Sequence, residues 1–344
     1  IAADAVAPGA RLRAIGEAAA GRAFAGTVEP GTCVRIFTGA PVPPGADTVE
    51  MQENATRDGD FVTFADALPP RRHIRAAGID FREGVVGLAA GSRLDFTNLG
   101  LVAAMNHAEV PVHRRPRIAI LATGDELVPP GATPGPDQII ASNGYGIAAL
   151  IEAVGGEPID LGIVRDDLAA TVAAVEAGFG RDVDALVTIG GASVGDHDHV
   201  HSALAATGVE FGFWKLAMRP GKPLMFGRRG PTRVLGLPGN PAASLVCSLL
   251  FVAPLVRALS GVADAAPKTE TLVLARAVPP NDLRQDYLRA RLVVDAAGRL
   301  AAEPADHQDS SLLTRFAATD GLIVRPPHAP AAEAGEPCRF IRFP

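Results

Sequence analysis

Three cationic side chains near one rigid turn are the residues of this sequence best suited to binding an anion. Lys215, Arg219 and Lys222 lie close together around the turn Met218–Pro223. A lysine ammonium makes a point-charge contact to a phosphate, whereas an arginine guanidinium binds it as a fork. A solvated basic turn is the alternative. Glycine-rich strand ends elsewhere in the chain make the anion site as strong an interpretation as the solvated turn.

A run of histidines and aspartates, Gly195–His201, suggests a metal site at first sight. Imidazole and carboxylate groups suit zinc, but this run is expected to begin a helix, where only residues three or four apart share a face. His197 and His201 could then meet, while Asp198 would point elsewhere. The spacing therefore disfavours zinc and predicts that Asp196 and Asp198 accept hydrogen bonds or bind a hard cation beside a phosphate.

Three strand-loop-helix units in succession are expected to position these groups. Each predicted strand is short and apolar and ends in a polar or glycine-rich loop. The strands are Arg117–Thr123, Pro158–Val164 and Ala185–Ile189, and the loops after them are Thr123–Glu126, Arg165–Asp167 and Gly190–Asp196. Such units predict a doubly wound, mainly parallel α/β sheet, and ligands of these sheets lie beyond the carboxyl ends of the strands.

Two helix starts are expected near that edge. Ser142 and Asn143 can cap the helix that runs through Val154. Asn240 as cap and Pro241 at the first helical position precede a long helix from Ala242 to about Leu259, and a further strand, Phe211–Leu216, precedes the basic turn. The amides of the Asn240 helix start would stabilise an oxyanion without any protein cation.

Short β-strands are expected on both sides of the α/β part, with Asp58-Gly59 as a hairpin turn. The N-terminal ones are Arg22–Val28, Thr32–Thr38, Thr48–Gln52 and Phe61–Phe64, and the C-terminal ones are Thr271–Ala277, Tyr287–Val294, Leu322–Val324 and Arg339–Phe343. Asp95 or Thr97 is expected to cap a bridging helix, and Ser310 or Ser311 a helix near the end. Four domains are predicted: 1–77, β-rich; 78–115, bridging; 116–262, α/β; and 263–344, β-rich.

Composition excludes several classes of protein. The 344 residues carry a net charge of −6, which argues against a basic face for nucleic acid. Three distant cysteines suggest neither a disulfide framework nor a cysteine zinc site, so a cytoplasmic protein is expected. No uninterrupted apolar run of membrane-spanning length is evident. The sequence opens on Ile1 rather than Met, so an upstream piece is expected.

Five motifs in one order carry a family resemblance. They are Thr38-Gly39-Ala40-Pro41-Val42-Pro43, Thr123-Gly124-Asp125-Glu126-Leu127, Gly190-Gly191-Ala192-Ser193-Val194-Gly195-Asp196, Pro220-Gly221-Lys222-Pro223 and Leu237-Pro238-Gly239-Asn240-Pro241. Together they closely resemble the molybdopterin molybdenumtransferases, which are the bacterial MoeA proteins and the matching domain of gephyrin. The central part alone also resembles molybdopterin adenylyltransferases (MogA-like) and the accessory domain of nicotinamide-nucleotide amidases.

The resemblance implies insertion of molybdenum from molybdate into adenylylated molybdopterin, with release of AMP, Mg²⁺ as cofactor and a homodimer. It implies that Glu126 and Asp198 hold Mg²⁺ and act catalytically with Lys215, Arg219 and Lys222. Arg289 and Ser310 match positions that the family associates with molybdate. The remaining expected substrate-binding residues are Thr38, Asp80, Thr123, Gly124, Asp166, Gly190, Gly191, Ser193, Gly195, Pro238, Gly239 and Asn240.

The chain departs from the family pattern in two places. The extended helical start and an Asp-Gly-Tyr-Ala motif are not found in this sequence, and Arg219 stands where a lysine is usual. Two other functions are weighed against the transferase. One is a scaffold that keeps the fold without the chemistry, and the other is a nucleotide-processing hydrolase that shares only the central domain. Preference for molybdate over tungstate does not follow from the sequence.

Overall fold

The computed structural model divides the chain into two compact units, Ile1–Gly87 and Leu88–Pro344. It describes residues 1–2, 7–191 and 199–344. The four domain boundaries drawn from the sequence remain predictions.

The first unit is a four-stranded sheet in the order β2-β1-β4-β3. Its strands are β1 (Arg11–Ala18), β2 (Thr32–Ile36), β3 (Ala55–Asp58) and β4 (Phe61–Phe64). The prediction of Arg22–Val28 as a strand is wrong, because Arg22 only closes a tight bridge with Ala19. Thr48–Gln52 is not a strand either, because loop contacts hold it: Thr48 Oγ1 donates to Pro69 O at 2.8 Å. The hairpin at Asp58-Gly59 is confirmed, although its first strand is β3.

The second unit contains the predicted α/β sheet. Its helices in this part are α1 (Phe96–Ala104), α2 (Asn143–Ala153), α3 (Leu168–Phe179), α4 (His199–Ala206), α5 (Pro241–Cys247) and α6 (Ala253–Leu259). Its strands are β5 (Arg117–Thr123), β6 (Leu127–Val128), β7 (Ile139–Ile140), β8 (Glu157–Val164), β9 (Ala185–Ile189), β10 (Glu210–Trp214), β11 (Met218–Arg219), β12 (Met225–Arg229) and β13 (Thr232–Leu237).

Six of these strands form one sheet in the order β10-β12-β13-β9-β5-β8. The strands β13, β9, β5 and β8 run parallel, as the α/β pattern predicts, while β12 is antiparallel to both of its neighbours. Apolar side chains cover both faces of the sheet, which explains the continuous apolar runs in β5 and β9.

The predicted cap of α1 at Asp95 is confirmed, and a second aspartate caps α3. Asp95 accepts from the backbone amides of Thr97 and Asn98, and Asp167 accepts from Ala170 N. Ser142 makes no capping hydrogen bond with its side chain, so that prediction is wrong. Asn143 instead extends its amide to another loop, where Nδ2 donates to Gly239 O at 2.7 Å.

The predicted long helix runs from Pro241 to Leu259 and changes to a π-helical turn over Ser248–Val252. Among the described residues, this is the one helix that is long and apolar enough to cross a membrane, judged by length and composition alone. This finding corrects the expectation that the chain has no apolar run of membrane-spanning length. Of its span, 61% is buried inside the protein. Its apolar side chains pack in the same core as β5, β9 and β13, as a core helix of the α/β sheet does.

The last part of the chain is a small closed barrel. Its elements are β14 (Glu270–Leu274), β15 (Gln285–Val294), β16 (Leu300–Pro304), α7 (Leu313–Ala317), β17 (Gly321–Arg325) and β18 (Pro337–Arg342). Pairing of β15 with β17 closes the barrel, and the short strand β11 joins β15 from outside. Neither Ser310 nor Ser311 caps α7, because Leu312 is at the cap position; Asp309 holds Ser311 instead.

The carboxylate of Asp184 ties the segment before β5 to the sheet. Arg114 binds it with two nitrogens at 2.6 and 2.8 Å, and Arg117 N donates to it at 2.8 Å. Burial favours the neutral acid, but these hydrogen bonds outweigh it and lower the pKa of Asp184.

We predict that Asp184→Asn lowers the free energy of unfolding by about 1–2 kcal/mol at pH 7. A lowered pKa stabilises the fold above the unfolded-state value of about 4 and stops doing so as the pH falls through the folded-state value. The difference from the unsubstituted protein should therefore shrink in acid, as urea titrations from pH 7 to pH 3 would show. Asp182→Asn, at a side chain that is 93% exposed, is the control and should have little effect. A pH-independent difference for Asp184→Asn would contradict the assignment.

Candidate functional site

The carboxyl ends of four parallel strands form one edge of the α/β sheet. From β13 through β9 and β5 to β8, the loops that leave this edge begin at Pro238, Gly190, Gly124 and Arg165. Gly190 N donates to Leu237 O at 3.2 Å, and Gly124 N donates to Val164 O at 3.1 Å. Backbone hydrogen bonds thus join neighbouring loops, and the loops lie at one edge of the sheet, as the sequence predicted.

Glycines allow these loops to pack without side chains between them. Gly190 has a φ of +92°, and a Cβ there would lie 2.6 Å from Thr123 O. A Cβ on Gly239 would lie 3.7 Å from Gly190 Cα. Thr123 is buried beneath them. Thr123, Gly190 and Gly239, all predicted substrate-binding residues, therefore meet at one point where backbone groups can approach a phosphate.

Carboxylates lie beside the β5 end of this edge. Asp125, Glu126 and Asp137 line an open groove of about 540 Å³ that Gly135 and Gln138 complete. A Cβ on Gly124 would lie 2.4 Å from Glu126 Oε2, so the glycine leaves room for the Glu126 carboxylate. Oxygen ligands of this kind suit Mg²⁺. The carboxylate oxygens of Glu126 are therefore suitable ligands for the predicted Mg²⁺.

The second predicted magnesium ligand, Asp198, lies outside the described residues, as do Ser193 and Gly195. Across residues 7–191 and 199–344, no group of three or more His, Cys, Asp or Glu could hold a metal ion. His201 has an aromatic environment, since its ring stacks on Phe211 and Trp214 at centroid distances of 4.4 and 4.6 Å. His197, the other histidine considered for a zinc site, lies outside the described residues, so the interpretation against zinc stays a prediction.

Asp166 is brought to the same edge. Its backbone amide donates to Asp125 Oδ1 at 3.3 Å, and its own side chain is exposed in the loop after β8. The loops of β5 and β8 are thereby joined on the acidic side of the site.

The three predicted cations are near one another but differ in their partners. Lys215 follows β10, and its Nζ lies 4.4 Å from the centre of the Trp214 ring. The exposed Lys222 is fixed through its backbone, because Leu216 N donates to Lys222 O at 2.9 Å. Arg219 belongs to β11 and forms ion pairs with Asp282 and Asp286 of the barrel.

A direct hydrogen bond joins a predicted substrate residue to a predicted molybdate residue. Asn240 Nδ2 donates to Ser310 Oγ at 2.9 Å, and Ala242 N donates to Ser310 O at 2.9 Å. The expected side-chain cap by Asn240 is therefore wrong, and an amide expected to face an oxyanion is already occupied. The barrel itself caps α5.

Arg289 is fully buried beneath the loop that carries Ser310. Its Nη1 donates to Asp309 O at 2.8 Å and its Nε to Gln308 Oε1 at 3.2 Å. Burial lowers its pKa, and the charge of Asp309 partly opposes this effect. In this structure, Arg289 fixes the shape of the 307–310 loop, and its contact with molybdate stays a prediction.

Thr38 and Asp80 are exposed residues of the first unit, Ile1–Gly87. Their contribution to substrate binding stays a prediction.

Sequence reasoning treated Asn143 only as a helix cap, and it missed Gln308 and the pair Asp282 and Asp286. Their roles depend on partners distant in the chain, such as Gly239 for Asn143. A lone amide or carboxylate in a loop carries no periodic signal that would reveal such a partner.

Fold and site together define an α/β protein with an attached barrel, and the glycine-rich edge of its sheet has the geometry that suits an anionic ligand. Three family models match in sequence order: the MoeA N-terminal region (domain I and II) at 2–106, a probable molybdopterin binding domain at 119–258 and the MoeA C-terminal region (domain IV) at 271–343.

Relatives of known function point to the same family as these three models. The chain is 34% identical over 338 residues to the molybdopterin molybdenumtransferase of Nostoc sp., covering 97% of this chain and 77% of that protein. It is 34% identical to the Haemophilus influenzae enzyme of the same name, covering 94% and 80%. The crystal structure of the MoeA molybdopterin biosynthesis protein of Pyrococcus horikoshii matches with a TM-score of 0.80 and 29% identity, over 100% of this chain and 85% of that one. The chain belongs to the molybdopterin molybdenumtransferase family, so it is an enzyme of molybdenum cofactor synthesis.

Gly190 and Gly155 offer a matched test of the sheet edge. Both have a positive φ, but a Cβ at Gly155 would meet no atom within 4 Å. Gly190→Ala and Gly155→Ala should each lose about 1–2 kcal/mol of stability from backbone strain. We predict that only Gly190→Ala, which displaces Thr123, also weakens AMP binding by about tenfold or more, as measured by calorimetry. Equal AMP affinity in the two variants would remove Gly190 from the site.

Proposed function

We propose that the protein inserts molybdenum from molybdate into adenylylated molybdopterin and releases AMP. One observation carries the proposal. The hydrogen bond from Asn240 to Ser310 joins the glycine-rich edge, suited to phosphates, to the loop expected to receive molybdate. The two substrates would then meet at one junction between the sheet and the barrel.

The length of the edge suits an extended ligand with a phosphoanhydride at its centre. With ~4.8 Å between neighbouring strands, the edge from β10 to β5 measures ~19 Å. Lys215 and Lys222 stand near one end, and Glu126 stands at the other. The glycines of the β9 and β13 loops lie between them, where backbone donors can bind the phosphates without side-chain interference. Pterin and adenosine would extend to either side.

Cleavage of the phosphoanhydride requires stabilisation of the negative charge that develops on the departing phosphate. Glu126 would hold Mg²⁺ from the groove beside β5, with Asp198 as the second proposed ligand. When bound, that ion stabilises the negative charge on the phosphoryl oxygens. Lys222 and Lys215 would neutralise the charge that develops as AMP leaves.

Molybdate is a tetrahedral dianion and needs hydrogen-bond donors. Ser310 Oγ accepts from Asn240, so its own hydroxyl hydrogen remains available, since it donates to no residue within 7–191 or 199–344. Arg289 would act from beneath the loop. Its buried charge favours an anion above it, while its hydrogen bonds to Asp309 and Gln308 keep Ser310 in place.

The alternatives have less support. A hydrolase that shares only the central domain does not explain the matches at 2–106 and 271–343. A scaffold without chemistry does not explain curated relatives that are named as transferases. A homodimer, a cytoplasmic location and an Mg²⁺ requirement belong to the proposal.

Incubation with adenylylated molybdopterin, molybdate and Mg²⁺ should release AMP in proportion to the molybdenum cofactor formed. The length of chain used should include any upstream segment of the natural protein. Binding of the adenylylated substrate without AMP release under these conditions would contradict the proposal.

Glu126→Gln should leave binding of the adenylylated substrate within about threefold and lower AMP release at least about 100-fold, because a neutral amide is a poor ligand for Mg²⁺. Glu152→Gln is the control, since Glu152 is exposed in the last turn of α2, toward the opposite edge of the sheet. Equilibrium binding and single-turnover AMP release separate the two effects. Normal turnover in Glu126→Gln would remove this residue from the mechanism.

A further inference from the structure

Arg219 differs from the two lysines beside it because its side chain is already paired. Its Nη2 lies 2.7 Å from Asp282 Oδ2, and its Nη1 lies 3.7 Å from Asp286 Oδ2. Lys215 and Lys222 form no ion pair with any residue of the described ranges 7–191 and 199–344. The three cations of the predicted anion site are therefore not equivalent.

The carboxylates of Asp282 and Asp286, which pair with Arg219, are held in place by other groups of the barrel. The strand β11 pairs in parallel with β15, which sets Arg219 opposite Asp286. Asp282 is held by Arg284, whose backbone amide donates at 2.9 Å and whose Nη2 donates at 2.7 Å. These hydrogen bonds from Arg284 lower the pKa of Asp282, so this carboxylate is ionised at neutral pH.

The buried carboxylate of Asp286 is the second group that holds the Arg219 side chain in place. Asp286 is 5% exposed, and its Oδ1 has no hydrogen-bond partner among the described residues. A buried carboxylate of this kind needs positive charge nearby. Arg219 provides it from β11, and Arg325 lies opposite Asp286 in the β15–β17 pairing. Withdrawing Arg219 toward a ligand would leave Asp286 less well compensated.

We propose that Asp282 and Asp286 are positioning residues that tether Arg219 to the barrel, so that Lys215 and Lys222 supply the charge that contacts the phosphates. The forked guanidinium can reach two carboxylates at once, which a lysine ammonium cannot do with the same geometry. Arg219 then anchors the basic turn to β15. The statement about phosphates rests on the proposed function, whereas the tether does not.

A double-mutant cycle tests whether Asp282 holds Arg219. The melting temperature of the full chain is measured for the two single variants and for the double variant. Arg219→Gln and Asp282→Asn should each lower the melting temperature, and their combination should lower it by clearly less than the sum. Asp295→Asn is the control, because Asp295 pairs with Arg299 elsewhere in the barrel. Its effect should add to that of Arg219→Gln. Additive effects of Arg219→Gln and Asp282→Asn would overturn the tether.

The role of the lysines is tested with AMP as the probe, in calorimetric titrations. Lys222→Gln should weaken AMP binding by about tenfold and Arg219→Gln by less than about twofold. Asp282→Asn should tighten binding by releasing Arg219, and this gain should vanish in the Asp282→Asn, Arg219→Gln double variant. An Arg219→Gln loss as large as that of Lys222→Gln would overturn the proposal.

Failure of the proposed function has a different signature. If the unsubstituted protein does not bind AMP, the proposed function and the lysine part of the inference both fail. The melting cycle then decides the tether alone.

Discussion

Parallel pairing of β13, β9, β5 and β8 is the constraint on which the site depends. It brings the carboxyl ends of four strands to one edge, although their loops are far apart in sequence. The backbone contacts of Gly190 and Gly124 with neighbouring strand ends then keep the loops in register. A side chain at Gly190 would separate the β9 loop from Thr123. Glycine is therefore needed at Gly190 because the parallel topology brings the neighbouring loops close together.

The barrel completes this edge by supplying contacts that the sheet lacks. Ser310 caps α5 through its backbone carbonyl and accepts from Asn240 through its hydroxyl oxygen. On the other side of the junction, β11 joins β15 and carries Arg219 to two barrel carboxylates. Because both connections involve loops with predicted site residues, the position of the barrel affects both the basic turn and the proposed molybdate loop.

The parts predictable from sequence were those encoded locally. The strands β5 and β9 and the helix from Pro241 follow from apolar runs and helix-start signals, and the ordered motifs indicate the family. The errors arose where a distant partner decides the outcome. Asn240 and Ser142 resemble caps in sequence, but Ser310 satisfies the α5 amide and Asn143 turns to Gly239. The antiparallel β12 and the closed barrel likewise depend on pairings that no local pattern specifies.

We propose that phosphate is bound where β9 and β13 end, beside the Asn240–Ser310 junction. A crystal structure of the protein with AMP bound tests it most directly. We expect the AMP phosphate within hydrogen-bond distance of the backbone in the Gly190 or Gly239 loops, with Lys215 or Lys222 nearer to it than Arg219. A phosphate bound away from this edge, or held chiefly by Arg219 with its barrel carboxylates released, would contradict the account.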